Sequence, residues 1–360
     1  MFMLRMVTLI AFLASTNLAL AQTVRKSDDK GAPPFKELKE GENPPLDASD
    51  NFVIGPKYAT APERKKVEGV PEGKTEQFSI DSKETKLFNP GIARKVFGKV
   101  DPKNPKTLIV ETHEIDYKRA IGVYIPAGYK EGTEAPFLVV HDGPGAAGGY
   151  KTMLDNLIAQ KRIPPIVLIS IANGGGDAQG HERGKEYDNM NGDFAEYIET
   201  EVLPRVEKTC KVKLTKDPDG RAAMGCSSGG SCALIMAWFR TDLYHRVLTT
   251  SGTFVNQAWP FDAKFPDGAW GFHETLIPKE PKKPIRLFIS VGDRDLLNPN
   301  IMRDDMHDWV VANEQMAGVL AAKGYPYQFV FSRNADHCDR TVKLQTLPGA
   351  LEWVWKDYRP

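Results

Sequence analysis

The sequence predicts an α/β protein built on a mainly parallel central sheet with helices on both faces. Apolar runs of strand length alternate with amphipathic stretches of helix length through most of the chain, the pattern of a parallel sheet covered on both sides. The strongest runs, Phe137–His141 (FLVVH) and Ile166–Ile171 (IVLISI), are nearly continuous, as expected of strands buried on both faces. One short strand, Arg221–Met224, ends in the small-residue turn Gly225-Cys226-Ser227-Ser228-Gly229-Gly230 and passes into the helical run Ser231–Phe239.

Taken in order, residues 1–21 read as a secretory signal peptide. Arg5 supplies the positive end, Met6–Leu13 the apolar stretch and Ala19-Leu20-Ala21 a small-x-small cleavage site, so the mature chain is expected to begin at Gln22 and to be secreted or periplasmic. Residues 22–75, rich in Lys, Glu, Asp, Pro and Gly, read as a flexible polar segment, which leaves 76–360 as one domain. Thr107–Val110 and Ile121–Ile125 are short strand patterns ahead of FLVVH. Asp193–Val206 sets Phe194, Tyr197, Ile198, Val202 and Leu203 on one helical face. Val247–Thr250, Leu287–Val291 and Tyr327–Phe331 complete the strands. The helical stretch Asp304–Lys323 separates the last two, and a final helix contains Leu347–Tyr358.

The composition excludes several classes. Of 360 residues, 47 are Lys or Arg and 47 are Asp or Glu, so the basic excess of a nucleic-acid binder is absent. Beyond the N-terminus no apolar run approaches the roughly 18 residues of a membrane span. No H-E-x-x-H, paired C-x-x-C or Walker loop occurs, so neither a metal nor a cofactor is expected. The glycine-rich run Ala172–Gly180 lacks dinucleotide-binding spacing and reads as a loop over the cleft. The partner expected is a small-molecule or polymer-linked ester, for the following reason.

A turn of the form G-x-S-x-G between a strand and a helix presents its serine at a sharp bend, with glycines where neighbouring backbone must approach. Ser227 is the candidate nucleophile. The Ser228 N–H, at the start of the helix, is a candidate donor to an oxyanion. A serine hydroxyl needs a base, and the base needs an orienting acid. Downstream, Leu287–Val291 runs into Gly292-Asp293-Arg294-Asp295, and Tyr327–Phe331 runs into Asp336-His337-Cys338. Both turns fall at C-terminal strand ends, where open α/β sheets place their sites. His337 is therefore the expected base and Asp295 its orienting acid, with Asp293 as competitor. Gly143, in the loop after FLVVH, is the expected second oxyanion donor, since the adjacent Pro144 has no N–H. His141 ends that strand and is expected to support the site. His245 and His307 read as surface residues. His273 lies in an aromatic-rich loop with Trp259, Phe261, Phe265, Trp270 and Phe272, which forms either a substrate-binding wall or the loop's own core.

The cysteines fit this arrangement. Cys226 precedes Ser227 and Cys338 follows His337, so bringing serine and histidine into hydrogen-bond reach brings the two sulfurs toward bonding range. An oxidising compartment permits the Cys226–Cys338 disulfide. Cys210 and Cys232 are left as a pair or as two free thiols.

From about residue 95 onward the chain resembles the esterase D and enterochelin-esterase-like α/β-hydrolases, a group that includes the first carbohydrate-esterase family with feruloyl and acetylxylan esterases. The likeness rests on FLVVHDG at 137–143, Arg183-x-x-Glu186-Tyr187, FAEYIETEVLP at 194–204, AMGCSSGG at 223–230, Ser251-Gly252-Thr253-Phe254, Gly292–Asp295 and Asp336-His337 before Trp353-x-Trp355. It implies the α/β-hydrolase fold, ester hydrolysis through an acyl-serine, and Asp295 as the acid. It also places Arg183 and Glu186 near the site, either on substrate polar groups or as an ion pair holding the loop; within the aromatic loop, Trp270 is the candidate substrate contact. The family's Gly-Gly-His turn is Ala335-Asp336-His337 here. The Cys-Ser, Asp, His-Cys arrangement locally resembles tannases and fungal feruloyl esterases. The expected function is a secreted serine carboxylic-ester hydrolase acting on feruloyl- or acetyl-type esters. The alternatives are a siderophore-lactone hydrolase, a polyester hydrolase or an acyltransferase on the same residues, and a non-catalytic carbohydrate-binding protein.

Overall fold

Short runs of Val, Ile, Leu and Phe become the middle strands of a ten-stranded sheet in the computed structural model, which describes residues 34–359 apart from 97, 299 and 300. The expected signal peptide lies outside the described residues. In chain order the strands of this sheet are β1 (Lys36–Glu37), β2 (Asn51–Ile54), β3 (Lys74–Asp81), β4 (Lys118–Ile125), β5 (Phe137–Val140), β6 (Val167–Ile171), β7 (Arg221–Cys226), β8 (Arg246–Thr250), β9 (Arg286–Arg294) and β10 (Tyr327–Asp336). Their spatial order is β1-β2-β10-β9-β8-β7-β5-β6-β4-β3. Every pair from β1 to β6 is parallel, and β4 alone runs against the rest, antiparallel to both β6 and the edge strand β3. This is the α/β-hydrolase fold.

Helices cover both faces because crossover connections between parallel strands must pack back onto the sheet. On one face, the helices Ser228–Phe239 and Trp309–Ala322 bury Leu234, Trp238, Trp309 and Met316 against Val139, Ala223 and Ile289. On the other, Lys151–Ala159 and Arg340–Trp355 bury Leu154, Leu347 and Leu351 against Leu138, Met224 and Leu248. The helix predicted over 304–323 starts only at Trp309, where the Asp308 side chain accepts from the Val311 N–H and caps it. The strand predicted at 107–110 belongs to a hairpin outside the sheet, Lys99–Asp101 with Asn104–Ile109.

The N-terminal segment corrects the reading from composition. Among residues 34–75, Asn51–Ile54 is fully buried and pairs in parallel with β10. The polar stretch before it is tied down by Gln328 Nε2, which donates to the Pro45 and Ala48 carbonyls, and by Trp353 Nε1, which donates to Ala48. A short apolar run, Phe52-Val53-Ile54, anchors what its flanks disguise.

The strand order also locates the site. From β5 the chain moves outward to β6, then returns to place β7 on the other side of β5. The loops after β5 and β7 therefore diverge, leaving a crevice at a topological switch point of the kind where open α/β sheets bind ligands.

Candidate active site

Ser227 stands at that crevice with φ 58° and ψ −131°, between the end of β7 and the helix Ser228–Phe239. A non-glycine residue at positive φ is strained, and such strain concentrates at functional sites. The flanking glycines make the bend possible. A Cβ on Gly225 would sit 2.1 Å from the Gly229 carbonyl oxygen, and one on Gly229 would sit 2.7 Å from an Asp142 carboxylate oxygen. Ser227 Oγ lies 3.4 Å from Thr253 Oγ1, which also accepts from Trp309 Nε1 at 3.3 Å.

Of the other predicted residues, His337 and Asp295 pair with each other, on loops that follow neighbouring strands of the sheet. His337 Nδ1 is hydrogen-bonded to Asp295 Oδ1 at 2.5 Å, with the carboxylate buried and the imidazole partly open to solvent. Trp309 meets the His337 ring edge-on, with centroids 6.2 Å apart. Asp293, the competitor, does something else. Its two oxygens accept from the Asn334 and Ala335 N–H groups at 2.9 and 3.1 Å, so it fixes the loop that carries His337. Cys226 and Cys338 form a disulfide across 112 residues, which fastens that loop to the residue beside Ser227. Cys210 and Cys232 are free and buried.

Two carboxylates with separate jobs give a testable contrast. Asp295→Asn is expected to cut kcat by roughly 10³–10⁴ with an unchanged melting temperature, because an amide holds the wrong imidazole tautomer. Asp293→Asn is expected to lower stability by about 1–3 kcal/mol, because one of its two backbone N–H groups then faces an amide NH2 and the other bond loses its charge, with a smaller loss of kcat. Steady-state kinetics and thermal melts on both variants check this.

No described residue accepts the Ser228 N–H, which suits it to an oxyanion. Gly143 does not match its expected role. Its N–H is already spent on the Ile171 carbonyl at 2.8 Å. In the same loop the Asp142 N–H reaches the Tyr187 hydroxyl only at 3.4 Å. The Asp142 carboxylate is gripped in bidentate fashion by Arg183, at 2.8 and 3.1 Å, and by Asn173 Nδ2 at 2.9 Å. Arg183 thus sets the loop after β5 by an ion pair.

Glu186 likewise serves structure. It is fully buried in a bidentate pair with Arg119, whose guanidinium also lies over the Tyr197 ring. His141 is buried and donates Nδ1–H to the Gly229 carbonyl at 2.7 Å, tying β5 to the first turn of the helix after Ser227. Burial lowers its pKa below the usual histidine value, so the ring stays neutral. Trp270 is not a substrate contact: it is buried in the core, donates to Glu274 at 2.7 Å and packs on His273. His307, expected at the surface, is buried against Asp304.

Sequence reasoning passed over one buried acid under this site. Asp188 accepts from Gln257 Nε2, which also donates to Ser228 Oγ. Burial pushes the Asp188 carboxyl up to about 7, against the pull of Arg183. The native state then holds its proton where the unfolded chain has already released it, so this group costs stability as pH rises from about 4 to 7. Asp188→Asn is expected to melt higher than the wild type at pH 8, by up to about 4 kcal/mol, and no higher at pH 4. Thermal unfolding across that range checks the sign.

Strand order, strained serine turn and histidine–carboxylate pair together define a hydrolase of the α/β class. The Esterase family model, described as "Putative esterase", matches residues 112–341, and the chain belongs to that family of carboxylic ester hydrolases. No curated protein matches the chain in sequence. A ferulic acid esterase shares the fold at 18% identity and TM-score 0.52, over 80% of this chain and 100% of its own. A ferulic acid esterase from the anaerobic fungus Anaeromyces mucronatus does so at 14% identity and TM-score 0.53, over 83% and 98%. An enterochelin esterase from Shigella flexneri aligns at 21% identity and TM-score 0.48, over 74% of this chain and 60% of its own.

Proposed function

We infer that this esterase is a secreted serine hydrolase in which Ser227 attacks the ester carbonyl. The observation that carries the reading is the Asp295–His337 hydrogen bond, on a loop covalently fastened beside a strained serine. His337 takes the serine proton and returns it to the departing alcohol. Asp295 fixes the tautomer and balances the imidazolium. The Ser228 N–H and the positive end of its helix receive the charge of the tetrahedral intermediate. Water, activated by the same histidine, then releases the acid from the acyl-serine. The leading substrates are feruloyl- or acetyl-type esters, which fits a fold shared with ferulic acid esterases. Secretion is supported by the N-terminal sequence and by a disulfide that an oxidising compartment would maintain.

The test is intact-mass analysis after exposure to a fluorophosphonate, alongside turnover of p-nitrophenyl acetate and methyl ferulate with and without sugar acceptors. One adduct, mapped to the peptide holding Ser227, with turnover of either ester, is the expected result. A folded sample with neither adduct nor turnover would overturn the reading. Product acylated on the sugar would make the enzyme a transferase.

A further inference from the structure

A cavity of about 350 Å³ lies beside the serine turn, on the face of the sheet that carries the last helix. Its floor is Met224, Leu248 and Phe288, from three neighbouring strands. One wall is that helix, with Lys343 and Ala350. The other is the short helix Gly145–Gly149. Gly143 and Cys226 close it on the side of Ser227, which does not itself line it.

Three features mark it as a built site. First, it is more than twice the roughly 150 Å³ that accommodates benzene, so it holds an apolar body of about ten carbon atoms. Second, Gly145 and Gly149 face open space: a Cβ on either would meet nothing within 4 Å, and neither has positive φ. Glycine inside a helix costs about 1 kcal/mol relative to alanine. Here neither backbone geometry nor crowding demands it, and its effect is to keep that wall low. Third, Lys343 is half-buried at the opposite wall, and although Asp142 and Asp339 attract it from a distance, it makes no ion pair or side-chain hydrogen bond with a described residue, the Asp142 carboxylate in the same lining being held by Arg183. An ammonium beside an apolar floor calls for an anion on an apolar ligand.

We propose that this cavity binds a carboxylate on an apolar body of aromatic or medium-chain size, with the body on Met224, Leu248 and Phe288 and the carboxylate at Lys343. The ligand has two chemical sources. One is a free acid. The other is the acyl group of an ester that carries a second carboxylate, and only this source rests on the serine-hydrolase reading above.

Calorimetric titration of the full chain with octanoate and with cinnamate, against neutral octanamide, tests it. Saturable binding of one carboxylate per chain, at least tenfold tighter than the amide, is expected. Lys343→Met is expected to erase that preference. Gly149→Leu, whose side chain has room to enter, is expected to abolish binding of both forms, and Ala350→Phe to do the same from the opposite wall. Thermal melts show that each variant is folded. Absent saturable binding to the wild type, equal affinity for the amide, or wild-type binding by both folded filling variants would each overturn the proposal. Repeating the titration on fluorophosphonate-labelled protein separates the sources. Retained binding assigns the cavity to a free acid, and lost binding shows that it opens onto Ser227. The labelling itself reads the nucleophile independently of any binding.

Discussion

Ser227→Ala is expected to lower kcat on p-nitrophenyl acetate by roughly 10⁴–10⁶ and to abolish the fluorophosphonate adduct. On the proposed mechanism, the variant loses the group that forms the acyl-enzyme. What survives is the contribution of the oxyanion donor and of binding. The fold should not suffer, because among the described residues Ser227 Oγ makes only the 3.4 Å contact with Thr253. Ser227→Gly sharpens the point. At φ 58° glycine removes the strain, so this variant is expected to be equally inactive yet about 1 kcal/mol more stable than Ser227→Ala. Intact mass, initial rates and thermal melts on the two variants would separate strain from chemistry. Residual turnover above about one per cent in either variant would place the nucleophile elsewhere.

The second large effect belongs to the disulfide. Cys226→Ser with Cys338→Ser is expected to cost about 3–5 kcal/mol of stability, since the bond closes a loop of more than 100 residues in the unfolded chain. It is also expected to reduce kcat by roughly 10–100-fold with little change in KM, because the His337 loop loses its anchor beside Ser227 and small displacements of reacting groups are costly. Cys210→Ser and Cys232→Ser are expected to leave kcat unchanged. Both thiols are buried, burial pushes Cys210 up to about 11 and raises Cys232 well above the usual thiol value, and neither should react with iodoacetamide in the native protein. Denaturant titrations and steady-state kinetics, read together, distinguish a disulfide that only stabilises from one that also positions.

Much of this was legible in the sequence because the relevant physics is local. Strands buried on both faces declare themselves as apolar runs, as Phe137–Val140 and Val167–Ile171 do. The serine turn is dictated by backbone crowding at two glycines. The disulfide follows from two residues that the chemistry needs side by side. What stayed hidden depends on partners distant in sequence. Nothing near Gly143 says that its N–H is spent on Ile171. The family motif placed Arg183 and Glu186 near the site, but their partners Asp142 and Arg119 lie 41 and 67 residues away. Trp270 reads the same in a binding wall as in a core. Residues 51–54 were masked because composition averages a few buried apolar residues with many exposed polar ones.

That N-terminal strand also orders events in time. β2 pairs with β10 across about 280 residues, and β10 runs directly into the loop that bears His337. During synthesis β2 can pair with β1, but Phe52, Val53 and Ile54 lack their β10 partner until nearly the whole chain has emerged. Pairings of such high sequence separation form late, because loop closure must precede the contact that rewards it. The edge of the sheet next to the histidine loop is therefore the last part to be sealed. A chain held back from completion, or carried unfolded across a membrane, would keep the His337 side of its candidate site unassembled until β2 and β10 meet.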